Sequence, residues 1–240
     1  MYRAQKPQAG KGLFAAGINN EKEKPMFFKM LNLGNMDNNC YILGDDKSKH
    51  ALLIDAPAEA GAVLDVLEEE GLKLKFILLT HCHYDHIGAL DELCEATGAE
   101  VMIHAFEMDG INDPTVNLAL YAGAPSPQTA AAKDLVDGDN ITLGDIELKV
   151  LYTPGHTVGS VCYYTDGMLF SGDTLFLKDV GRCDLPGGDY KIIKQSIKKQ
   201  LYTLPDDTDV YPGHGRATTI GYEKTHNNYV QQDWEYEYDD

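Results

Sequence analysis

The 240-residue sequence predicts a protein of mixed α/β (α+β) class in which helices are layered against β-sheets. Short apolar segments bounded by Asn-, Asp- and Gly-rich turns recur along the chain, which is typical of strands. Segments with apolar residues at helical spacing, such as 58–70, lie between some of these strands. Because strands and helices occur together in both halves of the chain, we expect a layered sandwich.

The first half of the chain contains a β-α-β pattern. Val63, Leu64 and Leu67 recur at helical spacing, and Gly71 is placed where a glycine caps a helix C-terminus. The strand that follows is continuously apolar at 76–79, as expected for a strand buried on both faces. The predicted elements are strands at 27–33, 40–43, 51–54, 75–79 and 100–103, and helices at 58–70 and 89–96.

The second half contains shorter strands and further helices. The segment 112–133 is rich in Ala, Pro and Gly without a strand period, and we predict a helix plus an exposed loop there. The other predicted elements are strands at 140–143, 147–151, 160–164, 168–170 and 209–211, a helix at 190–201 and a last helix within 220–234. Together these patterns predict a polar extension over 1–24 and a single domain over 25–240.

Composition and charge exclude several classes of partner. The chain has 20 Lys+Arg against 38 Asp+Glu and a formal charge of −18, which repels nucleic-acid phosphates. The longest aliphatic and aromatic run, 76–79, is far shorter than the roughly 18 residues of a membrane span. Five cysteines with no C-x-x-C pair favour free thiols in a reducing cytoplasm. We therefore expect a cytoplasmic monomer or homodimer that acts on a small molecule, without nucleic acid or membrane.

One segment carries a dense group of metal-ligating residue types. Directly after the buried strand, residues 80–86 read T-H-C-H-Y-D-H. His81 and His83 are two positions apart at a strand end and project to the same side. Imidazoles gathered with a carboxylate suit a divalent transition metal. Without a cation, so many ionisable groups at one strand end would be costly to hold, so the cluster predicts a metal site.

Three later segments each place one His or Asp after a predicted strand, next to a glycine. They are 152–157 (Y-T-P-G-H-T), 169–174 (L-F-S-G-D-T) and 210–215 (V-Y-P-G-H-G), and each alone would be an ordinary turn. With the first cluster they supply more donors than one tetrahedral metal uses, which favours two metals that share a bridging carboxylate. The candidate ligands are His81, His83, Asp85, His86, His156, Asp173 and His214.

The ordered series T-H-C-H-Y-D-H-I-G, T-P-G-H-T, F-S-G-D-T-L-F and V-Y-P-G-H-G resembles the metallo-β-lactamase superfold. Within it, the chain is similar to the short, single-domain glyoxalase II-like (hydroxyacylglutathione hydrolase-like) enzymes. The resemblance implies a four-layer αββα sandwich with two divalent metal ions at the lip between the sheets. Zinc is expected, with iron or manganese as alternatives. The resemblance further implies that His81, His83 and His156 bind the first metal and that Asp85, His86 and His214 bind the second. It implies that Asp173 bridges the two metals.

The same resemblance implies a hydrolase. We expect cleavage of an acyl-thioester, or a related activated acyl compound, by a metal-bound hydroxide, because two dications lower the pKa of a shared water toward roughly 7. Asp85 is the candidate catalytic residue, since it would orient the hydroxide as well as bind metal. Arg182 is the candidate substrate-binding residue, holding a substrate carboxylate. The alternative for Arg182 is an ion pair with Asp184 that only shapes the loop.

Two other functions stay open at this point. Residues 180–189 (V-G-R-C-D-L-P-G-G-D) are also similar to the matching segment of persulfide dioxygenases. Those enzymes use two His and one Asp for a single iron, and the corresponding subset here is His81, His156 and Asp173. The third hypothesis is a noncatalytic metal-binding protein.

Overall fold

Two six-stranded β-sheets form the framework of the protein, which we describe from a computed structural model over residues 26–129, 131 and 133–231. The predicted extension 1–24 and the acidic tail 233–240 lie outside the described residues, so the predicted domain boundaries stay predictions. Within the described part of the chain, no helix combines the length and apolar character that crossing a membrane requires.

The first sheet runs in chain order from β1 to β6. Its strands are β1 (Met26–Leu33), β2 (Asn38–Asp45), β3 (His50–Ile54), β4 (Lys73–Leu78), β5 (Glu100–His104) and β6 (Lys133–Leu135). The first three strands pair antiparallel, and β3 to β6 pair parallel. Parallel neighbours need a crossover connection, and helices α1 (Ala60–Glu70) and α3 (Leu90–Thr97) supply it on either side of β4.

The second sheet has the order β14-β13-β10-β9-β8-β7. Its strands are β7 (Asn140–Leu143), β8 (Ile146–Tyr152), β9 (Val161–Thr165), β10 (Met168–Gly172), β13 (Asp209–Pro212) and β14 (Thr218–Thr219). Between β10 and β13 the chain forms a ribbon of β11 (Leu175–Phe176) with β12 (Asp179–Val180) and the helix α5 (Tyr190–Ser196). The remaining helices are α2 (Tyr84–Ile87), α4 (Ala119–Ala122), α6 (Ile220–His226) and α7 (Asn228–Gln231).

Side-chain alternation along the strands generates four layers. In the first sheet, Ile42 and Leu53 point outward into a core shared with α1 and α3. Their neighbours point inward into a core that both sheets share, to which β10 contributes Phe170. In the second sheet, Cys162 and Leu169 point outward onto α5, α6 and α7. The result is an αββα sandwich, which confirms the predicted fold class.

The predicted elements are present, with differences that have physical causes. Gly71 ends α1 at φ +64, as its position predicts. The segment 190–201 is not one regular α-helix: after α5 it continues as a π-helical turn, Ile197–Leu201, which apolar spacing alone does not distinguish. Among the described residues of 112–133 the helix is a single turn, α4, and the others form loop apart from the start of β6, which is too short to show a strand period.

Polar ties join the two sheets along one edge of the sandwich. The Tyr163 hydroxyl donates to the Leu79 carbonyl at 2.7 Å, and the Tyr41 hydroxyl donates to the Pro212 carbonyl at 2.6 Å. The Val161 N–H donates to the Thr80 carbonyl at 2.9 Å. These bonds join β9 to the residues after β4 and β2 to the end of β13, which are the two places where candidate ligands follow.

We predict that Tyr163→Phe lowers the free energy of unfolding by about 1 to 2 kcal/mol, because the buried Leu79 carbonyl loses its donor. Urea unfolding of the full chain measures this. Tyr121→Phe is the matched control, since Tyr121 is 74% exposed, and it should change stability by less than about 0.5 kcal/mol. Equal stability of both variants would contradict the role given to the Tyr163 hydroxyl.

Candidate metal centre

The candidate ligands meet because several strands end at the same edge of the sandwich. His81 and His83 follow β4, His156 follows β8, Asp173 follows β10 and His214 follows β13. The remaining two, Asp85 and His86, lie on the short helix α2 directly after the first two histidines. An isolated antiparallel bridge between residues 38 and 214 closes the two sheets at this point.

The structure brings all seven predicted donors together. His156 Nε2 lies 3.0 Å from His83 Nδ1, and His214 Nε2 lies 3.3 Å from Asp85 Oδ2. Asp173 Oδ2 lies 3.6 Å from both His156 Nε2 and His214 Nε2. Donor atoms fall within 4.8 Å of one another in three sets, which are His81, His83 and His156; His81, His86 and Asp173; and Asp85, His86 and His214.

Three buried polar atoms in this cluster make no hydrogen bond with any described residue. They are His81 Nε2, His86 Nε2 and Asp173 Oδ1, and the last two lie 3.4 Å apart as a charge contact without hydrogen-bond geometry. A buried polar atom without a partner costs about 1 to 3 kcal/mol, so a cluster of three is unusual unless another group satisfies them. Imidazole nitrogens and carboxylate oxygens are donors for zinc, iron and manganese. The residues present therefore fit divalent metal ions.

Backbone carbonyls set the orientation of two of the imidazoles. His156 Nδ1 lies 2.7 Å from the Arg182 carbonyl oxygen, and His214 Nδ1 lies 3.1 Å from the Met36 carbonyl oxygen. A carbonyl oxygen only accepts, so each Nδ1 carries a proton and each Nε2 is directed into the cluster. The loops that contain residues 36 and 182 are thus structural parts of the site.

A carboxylate that the sequence analysis missed orients two more imidazoles. Asp55 is buried, and its Oδ2 lies 2.9 Å from His86 Nδ1 and accepts from the Thr80 hydroxyl at 2.9 Å. That hydroxyl oxygen lies 3.1 Å from His81 Nδ1, so it accepts there while donating to Asp55. The signal available in the sequence was an Asp directly after the apolar strand 51–54.

A second missed residue, Asn38, lies against the other half of the cluster. Its buried Nδ2 amide donates to Asp85 Oδ2 at 3.0 Å and lies 3.3 Å from His214 Nε2. It therefore holds the Asp85 carboxylate in place. Nothing in the local sequence separates this Asn from the other polar residues of the 34–39 turn.

Burial keeps part of the histidine cluster neutral. Desolvation, reinforced by the neighbouring histidines, places the pKa of His81 well below its ordinary value. For His83, burial and then His156 lower the pKa to about 3. Neutral imidazoles at pH 7 offer lone pairs to a metal without first losing a proton.

The carboxylates give the other half of the cluster a preference for positive charge. For His86, burial acts to lower the pKa, but Asp173, Asp55 and Asp85 outweigh it and raise the pKa well above its ordinary value. For Asp173, burial acts to raise the pKa, but His86 and other histidines reduce it to about 2. The site therefore holds ionised carboxylates that favour a cation beside them.

Glu107, also missed, ties together two of the ligand-bearing segments. It is buried at 2% exposure in the 3₁₀ turn Ala105–Glu107 after β5. Its Oε2 accepts from the Cys82 N–H at 3.0 Å, and its Oε1 accepts from the Gly159 N–H at 2.7 Å. Residue 159 must be glycine because a Cβ there would lie 2.5 Å from Glu107 Cγ.

Arg182, the candidate substrate-binding residue, forms in the structure the ion pair with Asp184 that was its alternative interpretation. Its Nε and Nη2 donate to the two carboxylate oxygens of Asp184, each at 2.8 Å. Both side chains are about 60% exposed, at 61% and 59%. The neighbouring Cys183 is buried, with the pKa of its thiol raised by burial to about 12, and Cys82 is buried in the apolar core.

Residues 33–214 match the sequence profile of the family described as Metallo-beta-lactamase superfamily. The chain belongs to the metallo-β-lactamase superfamily, whose members are mostly hydrolytic enzymes that bind divalent metals. It is 35% identical over 208 residues to Probable metallo-hydrolase YqgX of Bacillus subtilis, covering 85% of this chain and 98% of that protein. It is 34% identical over 196 residues to Hydroxyacylglutathione hydrolase GloC of Haemophilus influenzae, covering 80% and 92%.

Solved structures agree with this assignment. BLEG-1 B3 metallo-beta-lactamase is 37% identical, with a TM-score of 0.81 over 86% of this chain and 100% of that chain. TTHA1623 in a di-iron-bound form is 35% identical, with a TM-score of 0.74 over 84% and 99%. ETHE1 from Myxococcus xanthus is 31% identical, with a TM-score of 0.72 over 84% and 83%.

We predict that Glu107→Leu lowers the free energy of unfolding by about 3 kcal/mol or more, because two buried N–H groups lose a charged acceptor. Denaturant unfolding of the full chain measures the change. The control is Glu92→Leu at an exposed position of α3, which should change stability by less than about 0.5 kcal/mol. If Glu107→Leu is as stable as the wild type, the two backbone hydrogen bonds do not hold the site together.

Proposed function

We propose that this protein is a binuclear metal-dependent hydrolase that cleaves the thioester bond of a small acyl substrate. The observation that carries the proposal is the convergence of seven His and Asp side chains in one cluster. Three buried atoms of this cluster, His81 Nε2, His86 Nε2 and Asp173 Oδ1, make no hydrogen bond. Membership of a mostly hydrolytic superfamily supports the reaction class. Similarity to a hydroxyacylglutathione hydrolase supports the thioester bond.

In this proposal the donor sets divide between two metals. His81, His83 and His156 would hold the first, and Asp85, His86 and His214 would hold the second. Asp173 would be shared between them, because its Oδ2 lies 3.6 Å from His156 Nε2 and 3.6 Å from His214 Nε2. When bound, such a pair would lower the pKa of a shared water toward about 7 and polarise the substrate carbonyl. Zinc is the metal proposed, with iron or manganese as alternatives.

The protein side chains supply orientation and charge. For Asp85, burial acts to raise the pKa, but His86, His214 and Asn38 keep the pKa below its usual range. The carboxylate is therefore ionised at neutral pH and accepts hydrogen bonds. Because Asn38 fixes one of its oxygens, Asp85 is well placed to orient the attacking water, the catalytic role proposed for it.

Arg182 is proposed to bind an anionic group of the thiol carrier. Its present ion pair with Asp184 is exposed, and exposed pairs contribute less than about 1 kcal/mol. A substrate carboxylate can therefore replace Asp184 with little loss of stability. The guanidinium of Arg182 can bind such a carboxylate through two parallel hydrogen bonds. The loop keeps its place when the side chain changes partner, because the Arg182 carbonyl stays bound to His156.

We predict that the purified protein binds two divalent metal ions per chain and releases thiol from an acyl-thioester. His81→Ala and Asp173→Ala should each lose metal and reduce kcat/KM by roughly a hundredfold or more, because each removes a proposed ligand. Elemental analysis and a thiol-release assay measure both effects. His226→Ala, an exposed histidine stacked on Tyr222, is the control and should match the wild type. Unchanged metal content and turnover in the ligand variants would exclude this site assignment.

The second candidate is an iron-dependent persulfide dioxygenase, which the similarity of residues 180–189 favours. The subset it needs is present: His156 Nε2 lies 3.6 Å from Asp173 Oδ2, and the ring centroids of His81 and His156 are 4.8 Å apart. One iron per chain, with O₂ consumption on a persulfide and no thiol release from thioesters, would replace the hydrolase proposal.

His214→Ala separates the two candidates, because His214 belongs to the seven-ligand site and not to the three-ligand subset. For the hydrolase, we predict that this variant binds fewer than two metal ions per chain, because the second metal loses a ligand. Its thioester turnover should fall roughly a hundredfold or more. For a one-iron dioxygenase, metal content and O₂ consumption should stay within about twofold of the wild type. Parallel assays of thiol release and O₂ uptake on the same preparations give the answer.

A further inference from the structure

An apolar pocket with a volume of about 210 Å³ lies beside the candidate metal centre. Phe106, Val158 and Ile192 line it, and these three residues come from separate segments of the chain. They are 67%, 50% and 43% exposed, so three large apolar side chains face solvent around one concavity. Gathered exposed apolar residues of this kind mark a binding site more often than scattered ones do.

The pocket is continuous with the backbone that carries a candidate metal ligand. Gly155 and Thr157, which flank His156, both line it. Gly187 also lines it and lies in the same 180–189 loop whose Arg182 carbonyl accepts the His156 Nδ1 hydrogen bond. A group held in the pocket therefore rests against the segment that places His156.

The chemistry of the lining favours an uncharged occupant. No Lys, Arg, His, Asp or Glu is among the lining residues of the described structure. The Tyr152 hydroxyl already donates to the Val158 carbonyl at 2.8 Å, and the Thr157 hydroxyl lies 2.7 Å from that of Ser160. The polar groups are thus engaged with the protein, and the remaining surface is suited to apolar contact.

We infer that this pocket is an acyl subsite that binds an uncharged aliphatic or aromatic acyl group of the thioester. The inference rests on the proposed function and names its substrate class. A cavity of about 150 Å³ accommodates benzene, so about 210 Å³ accommodates a group of roughly six to eight non-hydrogen atoms, such as hexanoyl or benzoyl. The thiol carrier then lies outside the pocket.

The first test uses thioesters of N-acetylcysteamine, an uncharged thiol, with acetyl, butyryl, hexanoyl and dodecanoyl groups on the metal-loaded full chain. We expect kcat/KM to rise about threefold per added methylene up to hexanoyl and then to level off. Val158→Asp should abolish the rise of kcat/KM with acyl length. Ile192→Trp, which fills the pocket, should make kcat/KM level off at butyryl instead of hexanoyl. The control is Val136→Asp, because Val136 is 49% exposed but does not line the pocket, and it should keep the gradient.

The second test measures binding without turnover. The hexyl thioether of N-acetylcysteamine, which has no thioester carbonyl, is titrated into isotope-labelled full chain and followed by amide NMR. Shifts of the Gly155, Val158 and Gly187 amides that are lost in Val158→Asp would support the subsite, even if no thioester were cleaved and the proposed function failed.

Two results would overturn the inference. One is thioester turnover that does not depend on acyl length, together with no thioether-induced shifts at these amides, in which case the hydrolase proposal stands and the subsite does not. The other is a rate gradient that follows the length of the thiol group instead of the acyl group.

Discussion

The burial of three carboxylates beside one another is the constraint on which the rest of the site depends. Asp55, Asp85 and Asp173 all face the histidine cluster and are largely removed from water. Negative charge at such a place must be compensated. The described ion pairs of Lys and Arg involve other acids, so compensation falls to histidine protons or to bound cations. The raised pKa of His86 agrees with compensation by a histidine proton. The Nε2 atoms of His81 and His86, which make no hydrogen bond, are suited to contact a bound cation.

In this fold the apolar side chains that pack the layers and the polar groups that orient the donors lie in different regions. Three apolar cores hold the four layers together away from the site. At the edge where the strands end, buried carboxylates and backbone carbonyls form the hydrogen bonds that orient the donors. Asp55 orients two imidazoles, Glu107 joins two ligand segments, and the Arg182 carbonyl orients a third imidazole, that of His156. The donors are therefore held in place by groups whose own bonds belong to the fold, as a preorganised centre requires.

The sequence was sufficient to predict the fold class, most elements and which seven His and Asp side chains lie together, because those signals are local. His81 and His83 are two positions apart, and each later donor stands beside a glycine after a strand. Asp55 and Glu107 could not be predicted in the same way, because each acts on a partner 25 or more positions away and looks like a turn residue in sequence. Arg182 shows a further limit: both of its predicted roles were consistent with the sequence, and only geometry reveals the Asp184 pair.

Charge and pocket together constrain how a substrate reaches the site. A chain with a formal charge of −18 repels anions at a distance, so long-range attraction contributes little to binding a polyanionic carrier. Affinity must then come from short-range contacts, of which the protein offers two physically different kinds. The metal-binding cluster favours groups that carry or polarise charge, whereas the pocket beside His156 recognises size and apolar surface. Because Gly155 and Thr157 line the pocket and flank His156, a group that fills the pocket lies against the backbone segment that carries this candidate ligand.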